Sequence, residues 1–332
     1  LPGLEVSGII VDIKGSNLKF NLGDKVCALC HGGGYAEYVS VDIGHCMLIP
    51  KNYSMLEAAC IPETFITVWS NLFIRGKLSK NEKVLIHGGA SGIGLATVHL
   101  LSSVGANVII ADINKKIGSD VSDQFKSQGK QVDYLYCDVS SENSVLKFTE
   151  ILTKKNLTIE ILMNFAGIGL EKDFVKTSIG EWNKIISVNL TGSFLMTKEI
   201  SKIMISQKYG RIIMVSSVAG LRGGTGRAAY ASSKAGVIAL SKVLAIELSP
   251  YNITVNTLCP GAIETELVKN MHDKETRRVF LQQIPQKRYG LPEEVASAAL
   301  FFSLPSSSYI NGSVLPIDGG FSSSGIIKNN TL

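Results

Sequence analysis

Tyr230 and Lys234 stand four residues apart in Tyr230-Ala-Ser-Ser-Lys234, a spacing that puts a phenol and an ammonium on one face of a helix. Together they make a proton-transfer pair. A phenol near pKa 10 donates poorly at neutral pH until a fixed positive charge stabilises its phenolate. At about 4 Å and an effective dielectric of about 20, such a charge is worth roughly 4 kcal/mol, enough to lower the phenol by up to about three units. The spacing therefore predicts that Lys234 brings Tyr230 close to neutrality. A Tyr and a Lys four apart also occur as an ordinary surface pair, so the rest of the chain has to decide.

Upstream, Lys83-Val-Leu-Ile-His87 reads as a buried strand, followed by Gly88-Gly89-Ala90-Ser91-Gly92-Ile93-Gly94 and an apolar helix through Leu101. Side chains at those glycines would keep a pyrophosphate away from backbone N–H groups and from the positive end of the helix. The next strand, Asn107-Val-Ile-Ile-Ala-Asp112, ends in an acid 18 residues after Gly94. A carboxylate there accepts hydrogen bonds from ribose hydroxyls and repels a 2′-phosphate, so Asp112 favours NAD over NADP. Lys115 and Lys116 keep NADP open, since either could reach a phosphate.

The elements that must position these residues alternate along the chain. Strands are expected at Val132 to Tyr136, Ile159 to Asn164, Arg211 to Val215 and Thr254 to Leu258; helices at Ser141 to Lys154, Glu181 to Gln207, Ala229 to Leu248 and Glu293 to Ser303. Such alternation predicts an α/β fold, a doubly wound parallel sheet with helices on both faces and ligands beyond the strand C-terminal ends.

With those residues in view, about Val84 to Phe321 resembles a short-chain dehydrogenase/reductase of the 3-oxoacyl-carrier-protein-reductase-like group. Its G-x-x-x-G-x-G is Gly88, Gly92 and Gly94, and its acidic turn is Cys137-Asp138-Val139, where the resemblance implies that Asp138 bonds the adenine amino group. Asn164-Phe165-Ala166-Gly167 stands for N-N-A-G, Asn189 for the family's asparagine, and Ser217, thirteen residues before Tyr230, for its serine. Pro260-Gly261, with Ile263 and Thr265, matches the segment that holds the nicotinamide carboxamide. Asn311-Gly312 and Asp318-Gly319-Gly320 complete the pattern. His87 and Phe165 depart from it, replacing a threonine and an asparagine, and neither position is catalytic in the family. His87 puts the rigidity of the turn in question.

The resemblance implies reversible hydride transfer between nicotinamide and a carbonyl or secondary alcohol carbon. Ser217 would orient the oxygen and Tyr230 would move the proton. Lys234 would hold the nicotinamide ribose and Asn189 a water that connects Lys234 to solvent. Cofactor contacts are expected at Gly88, Ser91, Gly92, Ile93, Gly94, Asp112, Asp138, Val139, Asn164, Ala166, Gly167, Tyr230, Lys234, Pro260, Gly261, Ile263 and Thr265. The substrate is a small molecule or an acyl thioester. Assembly as a dimer or tetramer through the Glu181 to Gln207 and Ala229 to Leu248 helices is also implied.

Residues 1 to about 94 resemble another family, the zinc-free medium-chain quinone oxidoreductases, through Leu4-Glu5-Val6-Ser7-Gly8, Gly23-Asp24-Lys25-Val26, Gly33 to Tyr38 and Ile61-Pro62-Glu63-Thr64 through Leu72-Phe73. The expected organisation is a fusion. Residues 1–82 would be an incomplete GroES-like β-barrel with a linker helix, with a strand at Tyr35 to Val41. Residues 83–325 would be the Rossmann domain and 326–332 a tail. The start at Leu1, without the first part of that barrel, reads as a fragment. An incomplete barrel exposes strand edges, and below about 80 residues its core is marginal. Quinone reduction, and a non-catalytic cofactor-binding fusion product, are the alternative readings.

The 332 residues suggest two domains, and a mean hydropathy of +0.21 fits a well-buried α/β core. No apolar run reads as long enough to span a bilayer, so no membrane partner is expected. The net charge of +5 is spread without a basic block, which argues against nucleic acid. The densest basic stretch, Lys269 to Arg288, falls where the family carries a substrate lid. The six cysteines lack a disulfide framework, and cytosol is the expected compartment. Cys27-Ala28-Leu29-Cys30-His31 is a literal haem-attachment pattern and His45-Cys46 adds possible zinc ligands. Without a second C-x-x-C, an inert set with no metal is expected.

Overall fold

A computed structural model describes residues 3–14, 19–59, 61–62 and 82–325. The chain divides into two compact units, residues 1–78 and 79–332.

In the first unit Glu5–Ile9 (β1), Lys25–Leu29 (β2) and Cys46–Leu48 (β3) form an antiparallel sheet with β2 in the middle. Its core is small: Val26, Cys27 and Ala28 of β2 are buried with Phe20, Cys30 and Ala58. Ala58 belongs to the short Met55–Ala59 helix, which Ser7 ties to β1 by donating its hydroxyl to the Met55 carbonyl. The strand expected at Tyr35 to Val41 does not form. Gly32 and Gly33 adopt φ of 107° and 78° and turn the chain away from β2, leaving Tyr35 and Tyr38 84% and 75% exposed with no buried face for the alternation to serve. The described residues of this unit form no further strand beyond the three of the antiparallel sheet. Of the segment Ile61 to Phe73, all but Ile61 and Pro62 lies outside the described residues.

The second unit is built on seven parallel strands, Lys83–His87 (β4), Asn107–Asp112 (β5), Val132–Tyr136 (β6), Ile161–Asn164 (β7), Gly210–Val215 (β8), Ile253–Pro260 (β9) and Val314–Ile317 (β10). Their order is β10-β9-β8-β7-β4-β5-β6. This is the doubly wound sheet that the alternation predicts. β8 and β9 are buried along their whole length, as strands covered by helices on both faces must be. Leu85, Leu162, Ile212 and Val255 of the central strands meet Phe148 and Leu152 of the Glu142–Lys154 helix, and Met196, Ile200 and Met204 of the Gly192–Gln207 helix. Ser141 caps the first of these helices by accepting from the Ser144 N–H. Because β5 and β7 flank β4 on opposite sides, the sheet's switch point lies at the C-terminal end of β4, where the glycine turn begins.

Two expectations need correcting. The single helix read from Glu181 to Gln207 is interrupted: Ile179–Ile186 passes into a π-helical turn at Ser187–Thr191 before Gly192–Gln207 resumes. The buried Asn189 sits in that turn and its carbonyl accepts from Ser193 Oγ at 2.8 Å. Helical periodicity does not register one accommodated residue. Second, one helix, Ala228–Glu247, is long and apolar enough by length and composition to cross a membrane. It packs on β8 and β9 and carries Tyr230 and Lys234, so its apolar face is matched to the sheet.

Candidate active site

The glycine turn is close-packed on its neighbours. Gly88 has φ +77° and a Cβ there would lie 2.5 Å from the Ala166 nitrogen; a Cβ on Gly94 would collide with the Gly88 carbonyl. Gly92, at φ +54°, opens the Gly92–Ser103 helix, and Ser91 before it is exposed with no side-chain bond to the helix end. Bare backbone N–H groups at a helix N-terminus are therefore presented by Ser91, Gly92, Ile93 and Gly94. Asp112, at the end of β5, secures the turn: Oδ2 accepts from the Ala90 N–H at 3.2 Å and Oδ1 from the Asn114 N–H at 2.9 Å. Each oxygen keeps a lone pair for a ligand hydroxyl. Lys115 is turned over the Tyr136 ring, its ammonium 4.7 Å from the centroid.

Asp138 and Val139 follow β6. Asp138 Oδ1 accepts from the Ser140 N–H and hydroxyl, at 3.0 and 2.7 Å, and Val139 is buried against Gly192. The Asn164 side chain points into the core: Nδ2 donates to Thr197 Oγ1 at 3.1 Å and to Met214 Sδ at 3.2 Å. The Phe165 and Ala166 N–H groups both donate to the His87 carbonyl, holding the 164–167 loop to the glycine turn. Substituting the family's asparagine by Phe165 leaves that backbone link intact. His87 itself is buried, with no hydrogen-bond partner for either ring nitrogen although Asn164 lies beside it. Burial first, then the Lys234 charge, pushes its pKa down to about 3, so the imidazole is neutral. A buried neutral histidine is the finding where a loose turn was in question.

Asn189, Ser217, Tyr230 and Lys234 converge from three segments. Asn189 Nδ2 donates to the Ile168 carbonyl at 3.0 Å and to Ser233 Oγ at 3.1 Å, while Oδ1 accepts from the Ile168 N–H at 2.8 Å. Ser217 follows β8 and caps a short 3-10 turn by accepting from the Ala219 N–H. A Cβ placed on Gly167 would stand 3.3 Å from both Asn189 Oδ1 and Lys234 Nζ, so both side chains reach the same glycine.

The electrostatics of the pair differ from the expectation. The Tyr230 phenol lies above its ordinary pKa, raised by burial; the Ser217 hydrogen bond and the Arg227 charge pull it down less strongly. The Lys234 ammonium donates to the Val215 carbonyl at 3.0 Å and sits 5.8 Å from the centre of the Tyr230 ring. Burial lowers Lys234 to about 8, with a smaller opposing contribution from Cys259.

Beyond Tyr230 and Ser217 a cavity of about 540 Å³ extends under the Glu266–Met271 and Lys274–Gln283 helices, lined by Leu267, Met271, His272 and Phe280 among others. Pro260 ends β9, the Gly261 N–H donates to the Ile317 carbonyl, and Ile263 bridges to Gly290. Thr265 caps the first lid helix and lies 3.6 Å from where a Gly92 side chain would begin, bringing lid and glycine turn together. The basic residues of this stretch are largely ion-paired: Lys269 with Glu266, Arg277 with Glu264, Arg278 with Glu275, Arg288 with Glu294. Sequence reasoning missed Ser233, which holds Asn189, and Glu171, Arg227 and His272, which meet beside the cavity. In the first unit Cys27 and Cys30 are buried and Cys46 partly so, and the five described cysteines are free. Among the described residues no group of three or more His, Cys, Asp or Glu is arranged to hold a metal.

Residues 88–322 match a family model described as enoyl-(acyl carrier protein) reductase. A 3-oxoacyl-acyl-carrier-protein reductase of Thermotoga maritima is 40% identical over 236 residues, 71% of this chain and 96% of that protein. The reductase of the same name from Chlamydia trachomatis is 37% identical over 241 residues, 72% of this chain and 97% of its own length. The chain belongs to the short-chain dehydrogenase/reductase family. Among solved members, a levodione reductase superposes with a TM-score of 0.70 at 33% identity, over 74% of this chain and 98% of that one. A gluconate 5-dehydrogenase of Burkholderia cenocepacia, in complex with NADP and tartrate, gives 0.72 at 29% identity, over 74% and 97%. This short-chain dehydrogenase/reductase is an NAD(P)-dependent oxidoreductase acting between a carbonyl and a secondary alcohol. Its own residues fit the cofactor: the close approaches at Gly88 and Gly94 leave backbone N–H groups bare at a helix N-terminus, as a pyrophosphate requires.

Proposed function

We propose that the protein reduces the 3-oxo group of an acyl thioester to a secondary alcohol, reversibly. The observation that carries this is the cavity that Ser217 and Tyr230 share, with Lys234 one helical turn behind them. The nicotinamide cofactor supplies the hydride. Ser217 donates a hydrogen bond to the substrate oxygen and Tyr230 gives that oxygen its proton. Lys234, with one ammonium hydrogen on the Val215 carbonyl, keeps two for the ribose and for refilling the phenol. Asn189 positions Gly167 and Lys234 by stitching the 164–168 loop to the catalytic helix. The expected water would have to bind beyond an amide whose hydrogens are already bonded.

For the cofactor, Gly88 and Ser91 to Gly94 would take the pyrophosphate, Asp112 the adenosine ribose, and Asp138 and Val139 the adenine. Ala166 and Gly167 would line the nicotinamide side, with Asn164 holding that strand end from the core. Pro260, Gly261, Ile263 and Thr265 would meet the carboxamide. NAD is the preferred form, because Asp112 repels a 2′-phosphate and Lys115 is occupied at Tyr136. Exposed Phe194, Val243 and Ile246 on the two long helices support a homo-oligomer. The antiparallel sheet of the first unit supports descent of residues 1–82 from a quinone-oxidoreductase-like barrel. Free cysteines suit a cytoplasmic setting.

The test is reduction of acetoacetyl-N-acetylcysteamine, a simple 3-oxoacyl thioester, with NADH and NADPH separately, beside a simple quinone. Thioester turnover with NADH is expected. Quinone turnover alone, or cofactor binding without any turnover, would replace this reading by one of the alternatives.

A further inference from the structure

Arg227 ends the turn that leads into the Ala228–Glu247 helix, and the Ala231 N–H donates to its carbonyl at 2.7 Å, so Arg227 and Tyr230 stand within one helical turn. Both line the cavity beside Ser217. The guanidinium is held from outside that turn: Nη2 donates to Glu171 Oε2 at 2.8 Å and to His272 Nε2 at 3.3 Å. The Lys172 N–H donates to the Gly226 carbonyl at 2.9 Å and pins the loop that carries the arginine. Although the side chain is only 14% exposed, Nε and Nη1 have no partner among the described residues, and neither nitrogen is sealed from solvent. Three N–H hydrogens of an enclosed cation are thus free in a residue of the cavity wall.

We propose that Arg227 is a specificity-determining residue, donating to the C1 carbonyl oxygen of a 3-oxoacyl thioester while Ser217 and Tyr230 take the 3-oxo oxygen. The inference rests on the proposed thioester reduction and deepens it. The two carbonyl carbons of such a substrate are separated by one methylene, so an oxygen held at Tyr230 leaves the other only a few ångström away, within reach of a side chain one turn earlier. A donor already fixed through Glu171 and Lys172 loses little freedom on binding, and its charge strengthens the bond. An isolated ketone offers it nothing, and binding one leaves the enclosed cation without an acceptor.

The same contacts select a neutral oxygen over an anionic one. A carboxylate is gripped by an edge of the guanidinium, Nη1 with Nη2 or Nε with Nη2, and both edges include the nitrogen that Glu171 and His272 occupy. An arginine only donates, so His272 Nε2 is the bare nitrogen of a neutral ring, and Nδ1 carries the hydrogen to the Tyr289 hydroxyl at 3.0 Å. His272 therefore adds no positive charge. Glu171 balances the charge of Arg227 and repels a second carboxylate. What remains is a one-point donor, the match for a single carbonyl oxygen.

The experiment compares kcat/KM on the full chain for acetoacetyl-N-acetylcysteamine, for the thioether S-(3-oxobutyl)-N-acetylcysteamine, in which a methylene replaces the C1 carbonyl, and for acetoacetate. The 3-oxo group is intrinsically more reactive beside a thioester, but that difference is common to all variants and cancels when their preferences are compared. Arg227→Met should reduce the preference for thioester over thioether about tenfold or more. Arg227→Gln, which keeps a polar group for Glu171 but no charge, should lose part of it, and carries the comparison alone if the Met protein no longer binds NADH. A preference within about twofold of the parent's, in a variant that binds NADH, overturns the proposal. A parent that prefers acetoacetate to the thioester overturns the assignment of a neutral oxygen. Turnover of neither N-acetylcysteamine compound by the parent overturns the thioester reading itself, an outcome distinct from parental turnover with an unchanged preference.

Discussion

The Asp112 carboxylate accepts a hydrogen bond from the Ala90 N–H at 3.2 Å, tying the end of β5 to the middle of the glycine turn. One side chain therefore both shapes the glycine turn and presents charge at the place proposed for the adenosine ribose. Asp112→Ala is expected to weaken NADH binding, from loss of the ribose acceptor and of the anchor to Ala90. It should improve NADPH relative to NADH, because the repulsion of a 2′-phosphate goes with the carboxylate. Dissociation constants for both cofactors check this. A parent that already prefers NADPH would sink the argument from Asp112 and turn attention to Lys115 and Lys116.

Tyr230→Phe keeps the ring on the Ala228–Glu247 helix and removes only the hydroxyl proposed as proton donor. Turnover should fall by about 10² to 10⁴, the usual contribution of general acid catalysis, while NADH binds as before. Steady-state rates with a fluorescence titration of NADH separate the two effects. Turnover within about threefold of the parent would take Tyr230 out of the mechanism.

His87 is expected to make the fold sensitive to acid. The unfolded side chain takes a proton near 6.5 and the folded one only near 3, so between those values the unfolded chain binds more protons. Stability therefore rises with pH through that window: the contribution is whole above 6.5 and is lost as pH falls towards 3. His87→Thr should flatten that dependence. Urea midpoints measured at pH 7 and pH 5 are the check, and an equal acid loss in both proteins would show that His87 is not the cause.

The relatives matched by this chain are covered almost end to end by about three-quarters of it, 98% in the case of levodione reductase. A chain beginning at Ser79, the start of the second compact unit, is accordingly expected to keep the parental turnover and to bind NADH at least as well. Activity assays and thermal melts of the shortened chain test it. Unfolding or loss of turnover would mean that residues 1–78 contribute to the fold of the enzyme.

Much of the candidate site was legible because the residues proposed for its chemistry sit in short motifs. Tyr230, Lys234, Ser217 and Asn189 could be named from spacing and resemblance, and the parallel sheet from the alternation of strands and helices. What escaped depends on approach in space. Arg227 meets Glu171 across 56 residues and His272 across 45, and no local pattern marks either contact. Lys234 has the right position, but whether its ammonium serves the phenol or the Val215 carbonyl is decided by packing behind it. In the first unit, Tyr35 to Val41 alternates as a strand should, yet alternation becomes a strand only where a neighbour offers hydrogen bonds and a core.

The π-helical turn at Ser187–Thr191 carries a consequence for the kinds of change this site can absorb. An α-helix advances about 100° per residue, and a π-turn closes its hydrogen bonds one residue later. Removing one residue from 187–191 would restore α-helical bonding while the flanking turns keep their faces, so the loss would fall on the wide turn itself and on the aim of Asn189 at Ser233. Exchanging a side chain in the turn leaves its width alone. The bearing of Asn189 is thus written in a residue count rather than in residue types, and deletions here are a different class of event from substitutions.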